Sequence, residues 1–124
     1  MGGRIRVLIA DDHSLFAQAL QAILGTDDRL ETVGLAKNGR QALELADALE
    51  PDVVLMDISM PVMDGFEATK RLRKKSPDVP VVVLTGSNAR GDVDKARTSG
   101  ATGYLTKDRI AGELIDAILE AVGR

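Results

Sequence analysis

Hydrophobic and polar positions along the chain fall into two alternating rhythms. Short runs rich in β-branched and aliphatic residues recur at "IRVLIA" (Ile5 to Ala10), "ETVGLA" (Glu31 to Ala36), "VVLMD" (Val53 to Asp57), "VVVLT" (Val81 to Thr85) and "GYLT" (Gly103 to Thr106). Each reads as a strand, and each interval leaves room for one helix and two short loops, the βα rhythm of a parallel sheet. Three of the runs, the first, third and fourth, are apolar almost throughout, as strands covered on both faces are.

The intervals carry the three- and four-residue spacing of amphipathic helices. Phe16, Ala19, Leu20, Ile23 and Leu24 form one stripe, and Ile110, Leu114, Ala117, Ile118 and Ala121 form another near the C-terminus. Asn38 with Gln41 has the form of a capping box, opening a helix through Leu49 that Pro51 cannot prolong. Asp64 with Glu67 resembles a second box, opening a helix that ends near Lys75, before Pro77. Between Asn88 and Ser99 the apolar pattern thins to Ala89, Val93 and Ala96, which predicts a short, weakly anchored helix. Strands alternating one for one with helices imply an α/β fold, a doubly wound five-stranded parallel sheet with five helices on its two faces. In such a sheet the ligand crevice lies at the carboxyl ends of the strands, where the strand order reverses.

Composition narrows the class of protein. The 124 residues suit one domain spanning 1–124, and a hydrophobic share of 44% allows a core without staples. The absence of cysteine fits a cytoplasmic home, and a formal net charge of −3 argues against a dedicated nucleic-acid or membrane-surface binder. The opening "MGGRIRVLIA" breaks at Asp11 and Asp12, too early for a signal peptide, and Arg6 stands where a myristoylation signal wants Ser or Thr. No apolar stretch approaches membrane-spanning length.

The strand ends hold the candidate chemistry. Asp11 and Asp12 follow the first run, Asp57 closes the third, Thr85 the fourth, and Lys107 follows the fifth. With strand order 2-1-3-4-5, these groups converge on one crevice. Three carboxylates in a small space repel one another, and desolvation adds to the cost of ionising them. A hard divalent cation such as Mg2+ relieves both problems. A lysine and a hydroxyl donor beside it suit a phosphoryl group, with Asp57 as the nucleophile that forms an acyl phosphate. Taken singly, an aspartate after a strand is more often a turn former or a helix cap, and Asp12 has such a reading for the first helix. The conjunction at successive strand ends is what favours a site.

In this order and spacing, "ADDH", "VLMDISMPVMDGFEA", "VVVLTGS" and "GATGYLTKD" resemble the response-regulator receiver domain of two-component signalling, over essentially the whole chain. "DDHSLF" is similar to the subfamily whose receivers precede a LuxR-type helix-turn-helix output domain. The resemblance implies a flavodoxin-like receiver fold and a switch that controls transcription. It implies that Asp57 accepts a phosphoryl group from a sensor histidine kinase. Asp12 and Asp57 would bind Mg2+ directly with the backbone carbonyl of Ser59, and Asp11 would assist through water. Thr85 and Lys107 would hold phosphoryl oxygens, and Tyr104 falls at the aromatic switch position. Ser59 and Ser87 occupy the positions that tune phosphoryl lifetime. Pro61 and Gly65 match the loop and helix start after the acceptor. Catalysis would be limited to the domain's own phosphotransfer and dephosphorylation. Pairing of two copies on phosphorylation is compatible with this, and both a stand-alone regulator and the receiver half of a transcription factor stay open.

The chain departs from the family's pattern at Asp108, where proline often follows the lysine with a cis bond. Without proline a cis bond costs about 2.5–4 kcal/mol, so either the site sustains that strain or the loop runs trans. Other features have plainer readings. His13, beside the acids, reads as a polar residue in the first turn of a helix, because Mg2+ prefers oxygen. "KRLRKK" (Lys70 to Lys75) collects cations at a helix end, where they favour its dipole. "RGD" (Arg90 to Asp92) is accidental in a cysteine-free chain. Two rival functions remain. A haloacid-dehalogenase-type phosphohydrolase needs a second acid two residues after the nucleophile, where Ser59 stands. A pseudo-receiver would lack site residues, yet every position is filled.

Overall fold

In a computed structural model, residues 3–86 and 90–123 are described. Five parallel strands, β1 (Ile5–Ala10), β2 (Leu30–Ala36), β3 (Val53–Asp57), β4 (Val81–Thr85) and β5 (Gly103–Thr106), form a sheet of order β2-β1-β3-β4-β5. Between and after them run α1 (Ser14–Leu24), α2 (Gly39–Leu49), α3 (Gly65–Lys75), α4 (Arg90–Thr98) and α5 (Ile110–Ala121). The predicted order and alternation are those observed. β2 begins one residue earlier than the pattern suggests, and the expected start of the fourth helix at Asn88 lies outside the described residues. No described helix is long and apolar enough to cross a membrane.

The near-continuous hydrophobicity of β1, β3 and β4 follows from their central places. Successive side chains alternate between faces. Val7, Ile9, Val53, Leu55, Val82 and Leu84 pack with Leu20 and Leu24 of α1 and Leu114 and Ile118 of α5. Leu8, Ala10, Val54, Met56, Val81 and Val83 face the other way, onto Ala42 of α2, Ala68 and Leu72 of α3, and Ala96 of α4. On the helix side of that second layer the buried apolar residues are mostly alanines. β2, at an edge, is only partly covered, and its pairing with β1 skips Val33.

The caps act largely as their sequences suggest. Gln41 N–H donates to Asn38 Oδ1 at 2.8 Å, and Gln41 Oε1 accepts from Lys37 N–H at 2.7 Å, one residue before the usual partner. Asp64 Oδ1 accepts from Glu67 N–H at 2.9 Å, but the Glu67 carboxylate turns to Arg71 instead of closing the box. Cations gather in the last turn of α3, where Arg73 donates to the Val79 carbonyl and Lys75 pairs with Asp47 of α2. Arg6 has a role that its position near the N-terminus does not advertise. Its guanidinium donates to the Leu49 and Glu50 carbonyls, closing the C-terminal end of α2, where Glu50 adopts a φ of 48°.

Candidate functional site at the strand switch point

The chain leaves β2 to the left of β1 and continues rightward through β3, so the order reverses between β1 and β3. Asp11 and Asp12 leave the end of β1 and Asp57 ends β3, on the two sides of that switch point. Thr85 closes β4. Lys107 follows β5 and opens a single 3-10 turn, Lys107–Arg109, that leads into α5.

These groups meet. Lys107 Nζ lies 3.2 Å from Asp57 Oδ1 and 3.6 Å from Asp11 Oδ2. Asp57 is 1% exposed and Asp11 3%, whereas Asp12 stands at the crevice mouth. Asp11 Oδ1 accepts the His13 N–H at 2.8 Å, which fixes the turn from β1 into α1. No cis peptide bond occurs among the described residues, so the Lys107–Asp108 bond is trans and the ammonium reaches the acids regardless.

Burial raises the pKa of Asp57 above its ordinary value, and the charge of Asp11 raises it further. The Lys107 ammonium and the Ser59 backbone N–H, which donates to the carboxylate, pull in the other direction. Repulsion and desolvation therefore outweigh the lysine, as the sequence predicts for clustered acids. Asp11 Oδ2 and Asp57 Oδ2 are buried without a hydrogen-bond partner. Such oxygens are costly to leave bare. Ligand atoms of Asp11, Asp12, His13 and Asp57 all fall within 4.8 Å of one another, so the donor set fits a divalent cation.

His13 sits at the cap position of α1, one residue before the first turn where the sequence suggests it, and its side chain makes no capping bond. Its Nδ1 instead lies 3.2 Å from Asp12 Oδ1 and 3.4 Å from Asp11 Oδ1. The helix-cap reading of Asp12 is thereby set aside, since His13 holds that position.

Thr85 is buried, and a side-chain hydrogen bond joins it to Tyr104. Burial of the phenol raises the Tyr104 pKa, the Asp92 charge adds to this, and the bond from Thr85 opposes it. The two expected switch residues are thus in contact. Ser59 is exposed beside Asp57, and Ser87 lies outside the described residues.

Two glycines shape the loop after Asp57. A Cβ on Gly65 would stand 2.2 Å from the Asp57 carbonyl oxygen, so α3 can begin against the Asp57 backbone only with glycine there. A Cβ on Gly39 would meet the Met63 carbonyl at the same 2.2 Å, the oxygen that accepts the Gly39 N–H at 3.0 Å. Gly39 latches the loop to α2, and the sequence reading missed it. The available signal was a glycine directly after a helix cap, where side chains that favour helices are usual.

Fold and site together define a parallel α/β domain with an acidic, lysine-bearing crevice at its switch point. The chain belongs to the response regulator receiver domain family, whose model matches residues 7–119. Among similar proteins, the transcriptional regulatory protein DegU of Brevibacillus brevis is 40% identical over 115 residues, which are 93% of this chain and 49% of DegU. The response regulator domain of Thermotoga maritima CheB superposes with a TM-score of 0.90 at 32% identity, covering 98% of each chain. A LuxR-family DNA-binding response regulator from Staphylococcus aureus gives 0.89 at 28% identity, covering 96% of this chain and 99% of that one. The chain spans about half the length of the curated relatives it matches. Receiver domains of response regulators are regulatory, are phosphorylated by sensor histidine kinases and generally use Mg2+ at an acidic pocket.

Proposed function

We propose that this chain, over residues 1–124, is a phosphorylation-activated receiver, and that Asp57 takes a phosphoryl group from a sensor histidine kinase to control a transcriptional output. The observation that carries this is the buried Asp57 carboxylate held 3.2 Å from Lys107 Nζ, with Asp11 Oδ2 also 3.6 Å from that ammonium.

Mg2+ would be held by Asp12, Asp57 and the Ser59 carbonyl, with Asp11 assisting through water. When bound, it supplies positive charge that offsets the carboxylates and neutralises the transferred group. In the transfer, an Asp57 oxygen forms a bond to phosphorus as the phosphorus–nitrogen bond of the donor phosphohistidine breaks. The electron pair stays on the departing imidazole, which takes a proton. Lys107 accompanies the developing charge at the phosphoryl oxygens, and Thr85 donates its hydroxyl to one of them.

That last contact competes with the present Thr85–Tyr104 bond. Phosphorylation draws Thr85 inward, frees the Tyr104 ring to follow, and re-sorts the surface formed by α4, β5 and α5. Pairing of two copies through the altered surface fits this role. Catalysis ends with the domain's own phosphotransfer and dephosphorylation, and Ser59 and Ser87 tune how long the acyl phosphate lasts. A cytoplasmic location accords with the cysteine-free sequence.

An acyl-phosphate donor with Mg2+ should add about 80 Da, the mass of one phosphoryl group, to the wild type and nothing to Asp57→Asn. An unmodified wild-type mass under these conditions overturns the assignment.

A further inference from the structure

Lys107 arrives at the crevice on a flexible four-carbon stem, followed by Asp108 and a trans bond. Charge alone does not fix such a group, because an ammonium can approach two carboxylates in many ways. Its two oxygen neighbours, Asp57 Oδ1 at 3.2 Å and Asp11 Oδ2 at 3.6 Å, leave part of the ammonium uncommitted. There the ring of Phe16 stands, its centroid 4.3 Å from Nζ, well inside cation–π range. Phe16 projects from the first turn of α1 and is packed, partly buried, against the core shared by α1 and α5. The core therefore holds the ring.

A ring face suits this place better than another acid. It attracts the cation through its quadrupole, yet adds no net charge to a crowded acidic crevice. It also accepts no conventional hydrogen bond, so the lysine donors remain available to oxygen. With a side-chain exposure of 23%, Lys107 is partly desolvated, which strengthens such a contact.

We infer that Phe16 is a positioning residue for Lys107: its ring face sets where the ammonium stands beside Asp57, and so how well it meets an incoming phosphoryl group. The inference rests on the reading of Asp57 as the acceptor. In the sequence Phe16 is one member of an apolar stripe, and its second use appears only when the turn that Lys107 opens after β5 is folded over the start of α1.

The test replaces Phe16 in the full chain with Leu, Tyr and Trp, and with 4-fluoro- and 3,5-difluorophenylalanine. The recess of about 480 Å³ lined by His13, Leu15, Phe16, Ala19 and Lys107 leaves room for the larger ring. Fluorination weakens the quadrupole stepwise at almost constant shape. Beryllofluoride affinity in the presence of Mg2+ reads engagement of a phosphoryl-like group. Proton shifts of the Lys107 ε-methylene, shielded by the ring in the free wild type, read the contact itself.

Phe16→Leu should weaken beryllofluoride binding about three- to tenfold, the range of a cation–π contact. Tyr and Trp should restore it, and the fluorinated rings should lower it in order of fluorine count. The ε-methylene should move downfield in Phe16→Leu. Leucine and both fluorinated variants binding as the wild type does would overturn the inference. So would a leucine loss without any fluorine trend, which marks simple packing, or an unmoved ε-methylene. Wild-type protein that binds no beryllofluoride would count against Asp57 as acceptor instead, while the methylene shift would still decide the Phe16 contact.

Discussion

At the scale of single residues, Asp57 shows what a buried carboxylate costs in stability. Its pKa is raised first by burial and then by Asp11, with Lys107 only partly compensating. In the unfolded chain the group titrates near the ordinary 3.8. Below that value it is protonated in both states and imposes no ionisation penalty. As the pH rises through the higher folded value, the native state must ionise a carboxyl that resists ionisation, and stability falls. Asp57→Asn should therefore be more stable than the wild type at neutral pH without Mg2+, by about 1–3 kcal/mol, the cost of an unsatisfied buried polar group. The gap should close as the pH is lowered toward 3.8. Denaturant unfolding of both proteins from neutral pH down toward 3.8 checks this; a pH-independent gap contradicts it. Asp57 was legible from sequence because a carboxylate at the end of an apolar run is conspicuous. Arg6 was not, because the carbonyls it closes belong to Leu49 and Glu50, more than forty residues along the chain and brought near only by the β1–β3 pairing. Val62, exposed with a φ of 70°, was equally hidden: nothing in a β-branched residue announces a left-handed backbone.

At the scale of elements, the helices are anchored unequally, and the difference was readable in their apolar stripes. α5 buries Ile110, Leu114 and Ile118, whereas the buried side chain of α4 is Ala96. Fully burying a large aliphatic side chain is worth about 1.5–3 kcal/mol, and alanine supplies only a fraction of that. α4 also touches α3 through Lys95, whose ammonium lies 5.8 Å from the Phe66 ring centroid. Amides of α4 should accordingly exchange with deuterium well before those of α5, β1 and β3. Beryllofluoride with Mg2+ should alter protection in α4 and β5 more than in α2, since Thr85 and Tyr104 connect the crevice to that edge. Equal protection of α4 and α5, or a response confined to α2, is the outcome that counts against this assignment. Element boundaries emerged from the sequence almost residue by residue where a cap or a proline punctuates the chain, as at Asn38 and Asp64. They were less clear at α1, because its cap is His13, which makes no capping bond and offers no recognisable signal.

At the scale of the whole molecule, topology gathers dispersed acids into one crevice, so a cation bound there is linked to global stability. None of Asp11, Asp12 or Asp57 needs its neighbours in the unfolded chain, where the carboxylates separate and each is hydrated. A cation that bridges them binds the native state and has little affinity for the unfolded one. Mass action then raises stability by about 2.7 kcal/mol at a free cation concentration one hundred times the dissociation constant. The dissociation constant already contains the relief of repulsion that the cation brings, a repulsion visible in the raised Asp57 pKa and in two buried carboxylate oxygens without a hydrogen-bond partner. Mg2+ should thus raise the melting temperature in a saturable, concentration-dependent way, and a chelator should restore the original value. For a domain of roughly this size, about 1 kcal/mol corresponds to a shift of several degrees. Asp57→Asn should begin from a higher melting temperature and gain less from Mg2+, since it has lost both the repulsion and a ligand. The opposite ordering, with the variant starting lower and gaining as much as the wild type, would place the cation elsewhere and separate the stability of this fold from its crevice.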